Sequence, residues 1–534
     1  MKNIKIKIAA LIMVLFVVSC KDFLDINDDP NNPTKAELST ILPYTEANMF
    51  GALGFGTAGI TDILGVYTHQ IVQRGNQDDY KVQANEFSLT QCWEKLYAVG
   101  LPDLNQIIKQ AGEEHKPVYS GIARALKANM FSVMVDLWGN IAYSEAGDPS
   151  KFPFPHYDSG EAIYADVLTQ LDAAIADLQA GGPRPGADDL IYGGDPAKWI
   201  KYANSVKLSV YNKLRLTSLY NSAAVTALLS QPLISSVSED FQLRYTTSIS
   251  PENRNPGFVR EYAQNNPQYF ISPYFYLLMK GEQACQNSLL VGIHDPRIPY
   301  YFYNQLVPGE PAQNPESYRD GGFLSMWFGS YNRDPNEGFD QALSQTVVGL
   351  YPVGGAYDNG SGADASGDLG LKGAGAQRLL TAACVDYIRA ELALTENTSD
   401  NARVLLASAI SKSFAEVNAA ASIAGAPAIS SSDVTAYSDA VLALFDAGDA
   451  NKKLEVIMTQ KWIQEFGSGT EAYCDIRRTG YPQVCDPAQD LNEFSIQTNP
   501  YPVSLPYSGN DLTNNGNAPA QRNQYTDKIF WDIN

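Results

Sequence analysis

The chain has 534 residues, of which 45% are hydrophobic, and its formal net charge is −21 at pH 7. This apolar fraction is ample for a buried core, and the length allows about two to four domains or one large unit. The acidic balance argues against a nucleic-acid-binding protein, because contact with phosphates needs clustered Lys and Arg side chains. It also argues against adsorption to anionic lipid through surface charge.

The first twenty residues predict an export signal that ends in a lipidated cysteine. A basic start with three lysines precedes an apolar run of eleven residues, 8–18. The run is shorter than the roughly 20 residues that a membrane-spanning helix needs, and it has the length of a secretory-signal core. It closes on Val17-Val18-Ser19-Cys20, which resembles a bacterial lipobox, although Leu is commoner at the place of Val17. We expect residues 1–19 to be removed and Cys20 to be acylated; an ordinary signal peptide with a chance cysteine is the alternative.

Five cysteines follow Cys20, so they cannot all pair with one another: Cys92, Cys285, Cys384, Cys474 and Cys485. Cys474 and Cys485 are the best-placed pair, eleven residues apart across a loop that contains Pro and Gly. The alternative is that both are small buried hydrophobic side chains. None of the spacings resembles a zinc or iron–sulfur site.

Helical patterns follow a polar tether at residues 21–40. Apolar side chains recur at three- and four-residue steps, a spacing typical of amphipathic helices. Pro102 is expected to kink the first helix, and Asp195-Pro196 predicts an N-cap followed by Pro in the first turn of the fourth. Two helical pairs are therefore predicted between residues 90 and 220, on stripes at 93–108, 118–137, 163–178 and 199–210.

The helical pattern breaks at residues 232–375, where Pro and Gly are frequent. Residues 258–357 hold 19 Phe, Tyr and Trp in 100 positions, against 11% in the whole chain. A connection of this length predicts a functional loop region. Further helical stripes follow at residues 379–392, 402–421, 434–445 and 454–466, before a Pro- and Asn-rich tail. Such helical pairs suggest TPR-like stacking, although no clean repeat of about 34 residues is present.

Several segments, in the same order along the chain, resemble the SusD/RagB family of outer-membrane lipoproteins of Bacteroidota, and more narrowly its starch-binding-associated SusD-like branch. They are CKDFLDINDDPNNPT (20–34), WEKLYAVGLPDLNQII (93–108), ARALKANMFSVMVDLWGNIAYSEA (123–146), ANSVKLSVYNKLRL (203–216), HDPRIPYYF (294–302), IMTQKWIQEF (457–466) and EAYCDIRRTGYP (471–482). The combination spans essentially the whole chain. The tail departs from the family pattern, because VSLPYSGNDLTNN (503–515) lacks an Arg that members often show.

The resemblance implies a mainly α fold, with TPR-like helical pairs in a right-handed superhelical scaffold and long irregular loops that carry the ligand site. It implies a lipid-anchored, surface-exposed outer-membrane protein that captures oligosaccharides, or peptides in some members. Such proteins pass the ligand to a SusC-like TonB-dependent transporter, without catalysis and without a cofactor. Asp22 and Asp25, just behind the lipidated cysteine, resemble a surface-export signal.

The chain is divided accordingly into five parts. They are a signal peptide (1–19), a lipidated tether (20–40), an N-terminal helical region (41–231), an aromatic-rich loop excursion (232–376) and C-terminal helical pairs with a tail (377–534). The loop excursion is the first place to expect ligand. Flat Tyr and Trp rings offer an apolar surface to a sugar and a hydrogen-bonding tip to its edge. The candidates there are Tyr274, Trp327, Phe328 and Tyr331; packing of these rings onto the helical body is the alternative.

A second candidate segment is the polar turn HQIVQRGNQDDY (69–80). Planar amides and Arg make paired hydrogen bonds to neighbouring hydroxyls or to a peptide backbone. The resemblance places a ligand loop in roughly this stretch, and a solvated loop is the alternative. The candidates are Arg74, Asn76, Asp78 and Tyr80.

Other patterns are weaker. Gly54, Gly56 and Gly59 spell G-x-G-x-x-G with no strand before them, which argues against a dinucleotide site. A structural calcium ion at Asp358, Asp364 and Asp368 is left open, although the spacing does not match an EF-hand. No nucleophile elbow, HExxH motif or distinct carboxylate pair is present in the sequence. The sequence therefore favours a nutrient-binding lipoprotein; the alternatives are a peptide-binding protein of the same type, a surface glycan hydrolase and a purely structural lipoprotein.

Overall fold

The structure is a computed structural model that describes residues 36–73, 79–264, 267–312, 318–330, 343–366, 369–485 and 499–533. It is mainly helical, as predicted; Cys20 and most of the tether lie outside the described residues. Among the described helices, none combines the length and the apolar character that crossing a membrane would require. The N-terminal elements are α1 (Leu38–Leu53), α2 (Thr61–Tyr67), β1 (Ile71–Gln73), α3 (Phe87–Glu94), α4 (Leu101–Glu113), α5 (Pro117–Trp138), β2 (Ile141–Ala142), β3 (Tyr157–Asp158), α6 (Gly160–Ala180), α7 (Pro196–Lys213) and α8 (Ser222–Leu228).

The two helical pairs predicted between residues 90 and 220 are confirmed. The first pair is the α3–α4 run with α5, and the second is α6 with α7; α5 and α6 also pack together. Asp195 caps α7 as predicted, because its carboxylate accepts the amide hydrogen of Ala197 at 2.9 Å. Gly121 allows α5 and α6 to approach closely, since a Cβ at that position would lie 2.9 Å from the carbonyl oxygen of Ala174.

The run from α3 to α4 changes its hydrogen-bonding pattern ahead of Pro102. Residues Lys95–Gly100 form a π-helical turn, and Pro102 is the second residue of α4. Proline lacks an amide hydrogen, and its ring would clash with a carbonyl of the preceding α-helical turn. The irregularity that the sequence predicts at this proline is therefore a π-helical turn placed just before it.

The loop excursion contains short helices and strands. They are β4 (Phe241–Arg244), α9 (Pro256–Phe258), β5 (Tyr269–Ile271), α10 (Pro273–Lys280), α11 (Ile298–Tyr301), β6 (Phe302–Tyr303), β7 (Tyr318–Asp320), β8 (Phe323–Ser325), β9 (Val347–Val348) and β10 (Ala376–Leu380). The described strands form antiparallel pairs: β1 with β5, β2 with β3, β4 with β10, β6 with β9, and β7 with β8. The β1–β5 pair sets Ile71 opposite Ile271 and so fastens the excursion to the N-terminal region.

The C-terminal helices are α12 (Ala382–Thr395), α13 (Ala402–Ala424), α14 (Ser431–Ala447), α15 (Ala450–Gln464), α16 (Gly469–Thr479) and α17 (Gly509–Asn514). The four predicted stripes are confirmed as α12 to α15. The sequence does not predict α16, because its buried face includes Asp475, Arg477 and Arg478 and no simple apolar stripe marks it.

A set of buried ion pairs explains that charged face. Lys213 on α7 lies between Asp136 on α5, at 2.6 Å, and Glu471 on α16, at 2.7 Å. These pairs connect helices from both halves of the chain. Buried charges need such partners, because leaving water is costly for an unpaired ion.

The ion pairs continue through α16 to α12 and α15. Both oxygens of Glu391 accept hydrogen bonds from the guanidinium of Arg478, which also contacts Asp475 at 2.8 Å. Lys461 on α15 bridges Asp475 and Glu465. We call this set the buried ion-pair network: Asp136, Lys213, Glu391, Lys461, Glu465, Glu471, Asp475 and Arg478.

The C-terminal tail closes over the N-terminal helices. The indole of Trp531 is buried and donates a hydrogen bond to Asp136 at 2.9 Å. The indole of Trp138 donates in turn to the carbonyl oxygen of Pro506 at 3.0 Å. The tail therefore completes the core around Asp136, a long-range contact that no local pattern predicts.

The predicted Cys474–Cys485 pairing is wrong, and the alternative of a buried side chain is confirmed for Cys474. Cys485 pairs with Cys285, with Cα atoms 5.4 Å apart, and Cys474 is a free thiol. Cys474 lies on the inner face of α16, where burial raises the pKa of its thiol and the guanidinium of Arg477 contacts its sulfur at 3.4 Å. The helix thus turns Cys474 into the helical body, while the segment after the helix carries Cys485 to the loop excursion.

Candidate functional site

An aromatic cluster forms where the polar turn meets the loop excursion; it consists of His69, Tyr80, Tyr274, Phe328 and Tyr501. Phe328 lies at its centre, with ring centroids 4.3 Å from His69 and 4.6 Å from Tyr80. Tyr274 and Tyr501 flank it, at 5.8 Å from His69 and 5.3 Å from Tyr80 respectively. The structure therefore brings together three predicted site residues that are far apart in sequence.

The backbone at this cluster is held in an unusual conformation. His69 and Tyr80 have φ angles of 59° and 52°, in the left-handed region that non-glycine residues rarely occupy. The ring nitrogen Nε2 of His69 shares a hydrogen bond with the Tyr80 hydroxyl. Burial lowers the pKa of His69 to about 3, so the imidazole is neutral at physiological pH. Such conformations persist where the surrounding packing imposes them, and they concentrate at functional sites.

Trp327 and Phe328 follow β8 and point in different directions. Phe328 enters the aromatic cluster, whereas Trp327 is half-buried and packs edge-on against Tyr318, with ring centroids 5.1 Å apart. Nearby, Tyr276 stacks on Phe323 at 3.9 Å on the same β7–β8 hairpin. The hairpin thus presents partly exposed aromatic surface, with Trp327 as the predicted site residue that keeps an accessible face.

A cavity of about 570 Å³ adjoins the aromatic cluster. Its volume lies within the range typical of small-molecule sites. Tyr80 and Tyr501 belong to both the cluster and the cavity, and the Tyr501 hydroxyl is buried with no hydrogen-bond partner within the described part of the chain. The other polar side chains that line the cavity are Arg477, Gln483, Asn499, Lys528 and Asp532, and the apolar ones include Ile476, Pro482, Val484, Pro500 and Val503.

Arg477 lines one side of this cavity and is held in place by contacts within the protein. Its guanidinium stacks 3.9 Å from the ring centroid of Tyr473 and donates hydrogen bonds to the carbonyl oxygens of Val503, at 2.9 Å, and Asp136, at 2.7 Å. At the other side, Lys528 and Asp532 lie 3.8 Å apart. The cavity therefore combines aromatic rings and amide side chains with charges that have partners within the protein, a lining suited to a neutral polar ligand.

The predicted site residues differ in what they can contact. Tyr274 is 1% exposed and Phe328 is 6% exposed, which favours the packing alternative for both. Tyr80 is 1% exposed, yet it lines the cavity. Arg74, Asn76, Asp78 and Tyr331 lie outside the described residues, and their ligand contacts stay predictions.

Sequence reasoning missed the C-terminal contribution to this site. Gln483, Asn499 and Tyr501 come from the Pro- and Asn-rich stretch after α16, and Lys528 comes from the tail. In the sequence, the indication of this contribution is that the family-like motif EAYCDIRRTGYP (471–482) directly precedes the residues of the cavity wall. That indication can be interpreted only once α16 is known to pack in the core.

In the acidic loop, where the sequence leaves a structural calcium ion open, Asp358 makes contacts within the protein. That carboxylate accepts hydrogen bonds from the Asn304 side chain at 2.7 Å and from the Gly360 amide at 2.8 Å. In the parts of the chain that the structure describes, no group of three His, Cys, Asp or Glu side chains is arranged to hold a metal ion. Asp368 lies outside those parts.

Comparison with protein families places almost the whole chain in one of them. A SusD-like family model, described as starch-binding associating with outer membrane, matches residues 30–502. Among curated proteins, no relative matches significantly.

Solved structures of SusD homologues share the fold. A chitin-binding SusD homologue from Flavobacterium johnsoniae superposes with a TM-score of 0.67 at 18% identity, over 92% of this chain and 99% of that one. A SusD homologue from Bacteroides fragilis gives 0.68 at 18% identity, over 93% and 99%. One from Bacteroides vulgatus gives 0.65 at 19% identity, over 92% and 98%. The mainly α fold with TPR-like helical pairs is thereby confirmed.

Proposed function

Because the chain belongs to the SusD-like family of starch-binding proteins that associate with the outer membrane, we propose that it is a cell-surface lipoprotein that captures oligosaccharides. The captured sugar passes to a SusC-like TonB-dependent transporter in the same membrane. Binding, and no chemical turnover, is the activity. A chitin-binding protein among its structural relatives adds a second glycan to test beside starch.

The observation that carries this proposal is the cavity beside the aromatic cluster. A sugar ring has an apolar face and a hydroxyl-bearing edge. Tyr80 and Tyr501 supply aromatic surface in the cavity, and the amide of Gln483 supplies a donor and an acceptor. The partly exposed ring of Trp327 offers a further stacking surface on the neighbouring hairpin.

The placement of carboxyl groups supports binding without hydrolysis. A glycosidase usually sets two carboxyl groups on either side of the bond that it cleaves. Asp532 is the one carboxylate in the described lining of the cavity, and Lys528 lies beside it. Burial raises the pKa of Glu465 to about 8, but this residue lies in the buried ion-pair network, away from the cavity lining.

The disulfide supports an exported protein. Cys285 and Cys485 form a disulfide, and disulfides persist mainly in oxidising compartments outside the cytoplasm. This agrees with the signal segment and with acylation at Cys20, which we propose as the membrane anchor. Mass spectrometry of the mature N-terminus from the native host would detect acyl chains on Cys20, and an unmodified, freely soluble chain would contradict the anchor.

Calorimetric titration tests the ligand class. Maltoheptaose, chitohexaose and a mixed peptide library are the probes, and we expect an oligosaccharide to bind. Trp327→Ala and Tyr80→Ala should weaken that binding, whereas Tyr44→Ala serves as the control because Tyr44 is a 60% exposed aromatic that does not line the cavity. If only peptides bind, the ligand class is peptide and not oligosaccharide. Unchanged affinity in both site variants would show that the ligand binds elsewhere on the protein.

A further inference from the structure

One part of the cavity wall has no regular secondary structure. Residues 481–485 follow the end of α16 and belong to no described helix or strand. Pro482, Gln483, Val484 and Cys485 all line the cavity. A wall of this kind keeps its shape only through contacts with other parts of the protein.

The loop after α10 supplies a covalent contact. Cys285 joins Cys485 across 200 residues of sequence. The backbone around Cys285 forms a closed turn, because Ala284 and Asn287 exchange two backbone hydrogen bonds, at 3.0 and 2.8 Å. The disulfide therefore fixes the wall to a tight turn rather than to a free loop.

Two side chains support the same place by hydrogen bonds. The hydroxyl of Tyr274 donates to the carbonyl oxygen of Gln483 at 2.7 Å. The amide of Asn287 donates to that hydroxyl at 3.2 Å and reaches the same carbonyl at 3.4 Å. Both side chains are buried. Covalent and polar contacts thus converge on Gln483 and Cys485, the two wall residues on either side of Val484.

We propose that Cys285, Tyr274 and Asn287 are positioning residues for the ligand cavity, and that they set its affinity by holding residues 483–485 in place. This inference rests on the proposed function, since it concerns the same cavity. A wall that is ordered before binding does not have to be ordered by the ligand, so less of the interaction free energy is lost. If the wall is in place for only a fraction of the time, the apparent affinity falls by that fraction.

Affinity for maltoheptaose and chitohexaose, measured with the full mature chain, tests the proposal. The Cys285→Ser/Cys485→Ser double variant should bind about tenfold more weakly, and Tyr274→Phe about threefold more weakly, because each loses part of the preorganisation. Cys92→Ser is the matched control: it places a serine at another buried cysteine that does not line the cavity.

Hydrogen exchange in the absence of ligand provides a second readout that is independent of ligand identity. In the double variant, exchange should rise in peptides that cover residues 476–485 and 499–503 and should remain unchanged in α5 and α6. If wild type binds neither sugar, the proposed ligand class fails, and exchange alone decides the positioning role. Wild-type affinity in the double variant would overturn the proposal. So would an increase in exchange that is spread over the whole chain and equals the increase in Cys92→Ser, because the effect would then be a general loss of stability.

Discussion

The helical body and the loop excursion differ in how far their buried ion pairs extend. In the helical body, the buried ion-pair network joins α5, α7, α12, α15 and α16. In the loop excursion, the described strands are short pairs, aromatic rings pack together as in the cluster around Phe328, and the buried ion pairs form small groups, such as Arg297 with Asp295 and Arg260 with Asp62 and Glu261. Ion pairs in the core require particular partners at particular distances, whereas aromatic contacts tolerate a range of separations and tilts.

The buried ion-pair network overlaps four of the segments that carry the family resemblance. The segments 123–146, 203–216, 457–466 and 471–482 contain every network residue except Glu391. A change in one of these charges leaves its partner unpaired in the core, so the residues are constrained together. The loop excursion contributes one resemblance segment as well, 294–302, and it too carries a buried ion pair, Arg297 with Asp295.

Removal of one network charge is expected to have the largest effect. Arg478→Met removes the main partner of Glu391 and one of the two partners of Asp475 in a buried site, where the exposed fractions of these carboxylates are 0% and 6%. We expect the free energy of unfolding to fall by about 3–5 kcal/mol. Urea unfolding followed by circular dichroism measures it.

An exposed pair in the same helical body provides the matched control. Arg403 pairs with Asp446, and their side chains are 50% and 48% exposed. Arg403→Met should therefore change the free energy of unfolding by about 0–1 kcal/mol. Equal losses in the two variants would show that burial does not distinguish these ion pairs.

The next largest effect on stability distinguishes two neighbouring residues of the loop excursion, Phe328 and Trp327. Phe328→Ala removes the central ring of the aromatic cluster and should lower the free energy of unfolding by about 3 kcal/mol. Trp327→Ala affects a half-buried ring and should lower it by less than about 1 kcal/mol. Thermal and urea unfolding of both variants measure the difference. A larger loss for Trp327→Ala would mean that the outward ring, not the inward one, holds the hairpin to the body.

The sequence predicts much of the helical body and little of the site. The stripes of α5, α6 and α7 are regular, and Asp195 marks a helix start by its own chemistry. By contrast, α16 is concealed by its buried charges, and the partner of Cys485 lies 200 residues away. Tyr274 and Phe328 appear in the sequence as loop aromatics that either contact a ligand or pack onto the helical body. Their burial depends on contacts with His69 and Tyr80, which local patterns do not contain.

A further effect, slightly smaller than that of Phe328→Ala, is a pH dependence that belongs to the aromatic cluster. Burial holds the pKa of His69 at about 3 in the folded chain, against about 6.5 when unfolded. Between these values the unfolded chain binds the proton more tightly, so the stability that neutral His69 contributes is lost as the pH falls from 6.5 towards 3. From pH 7 to pH 4.5 we expect a loss of about 2–3 kcal/mol from this residue.

Comparison with His69→Gln isolates that contribution. Buried carboxyl groups act in the opposite sense: burial raises the pKa of Asp62 to about 6, so its contribution to stability increases as the pH falls through this value. Such terms are common to wild type and variant and cancel in the difference. The destabilisation caused by His69→Gln in urea unfolding should therefore be smaller at pH 4.5 than at pH 7. An equal destabilisation at both pH values would mean that the imidazole is protonated without disturbing the aromatic cluster, and that this cluster is more open to water than its packing indicates.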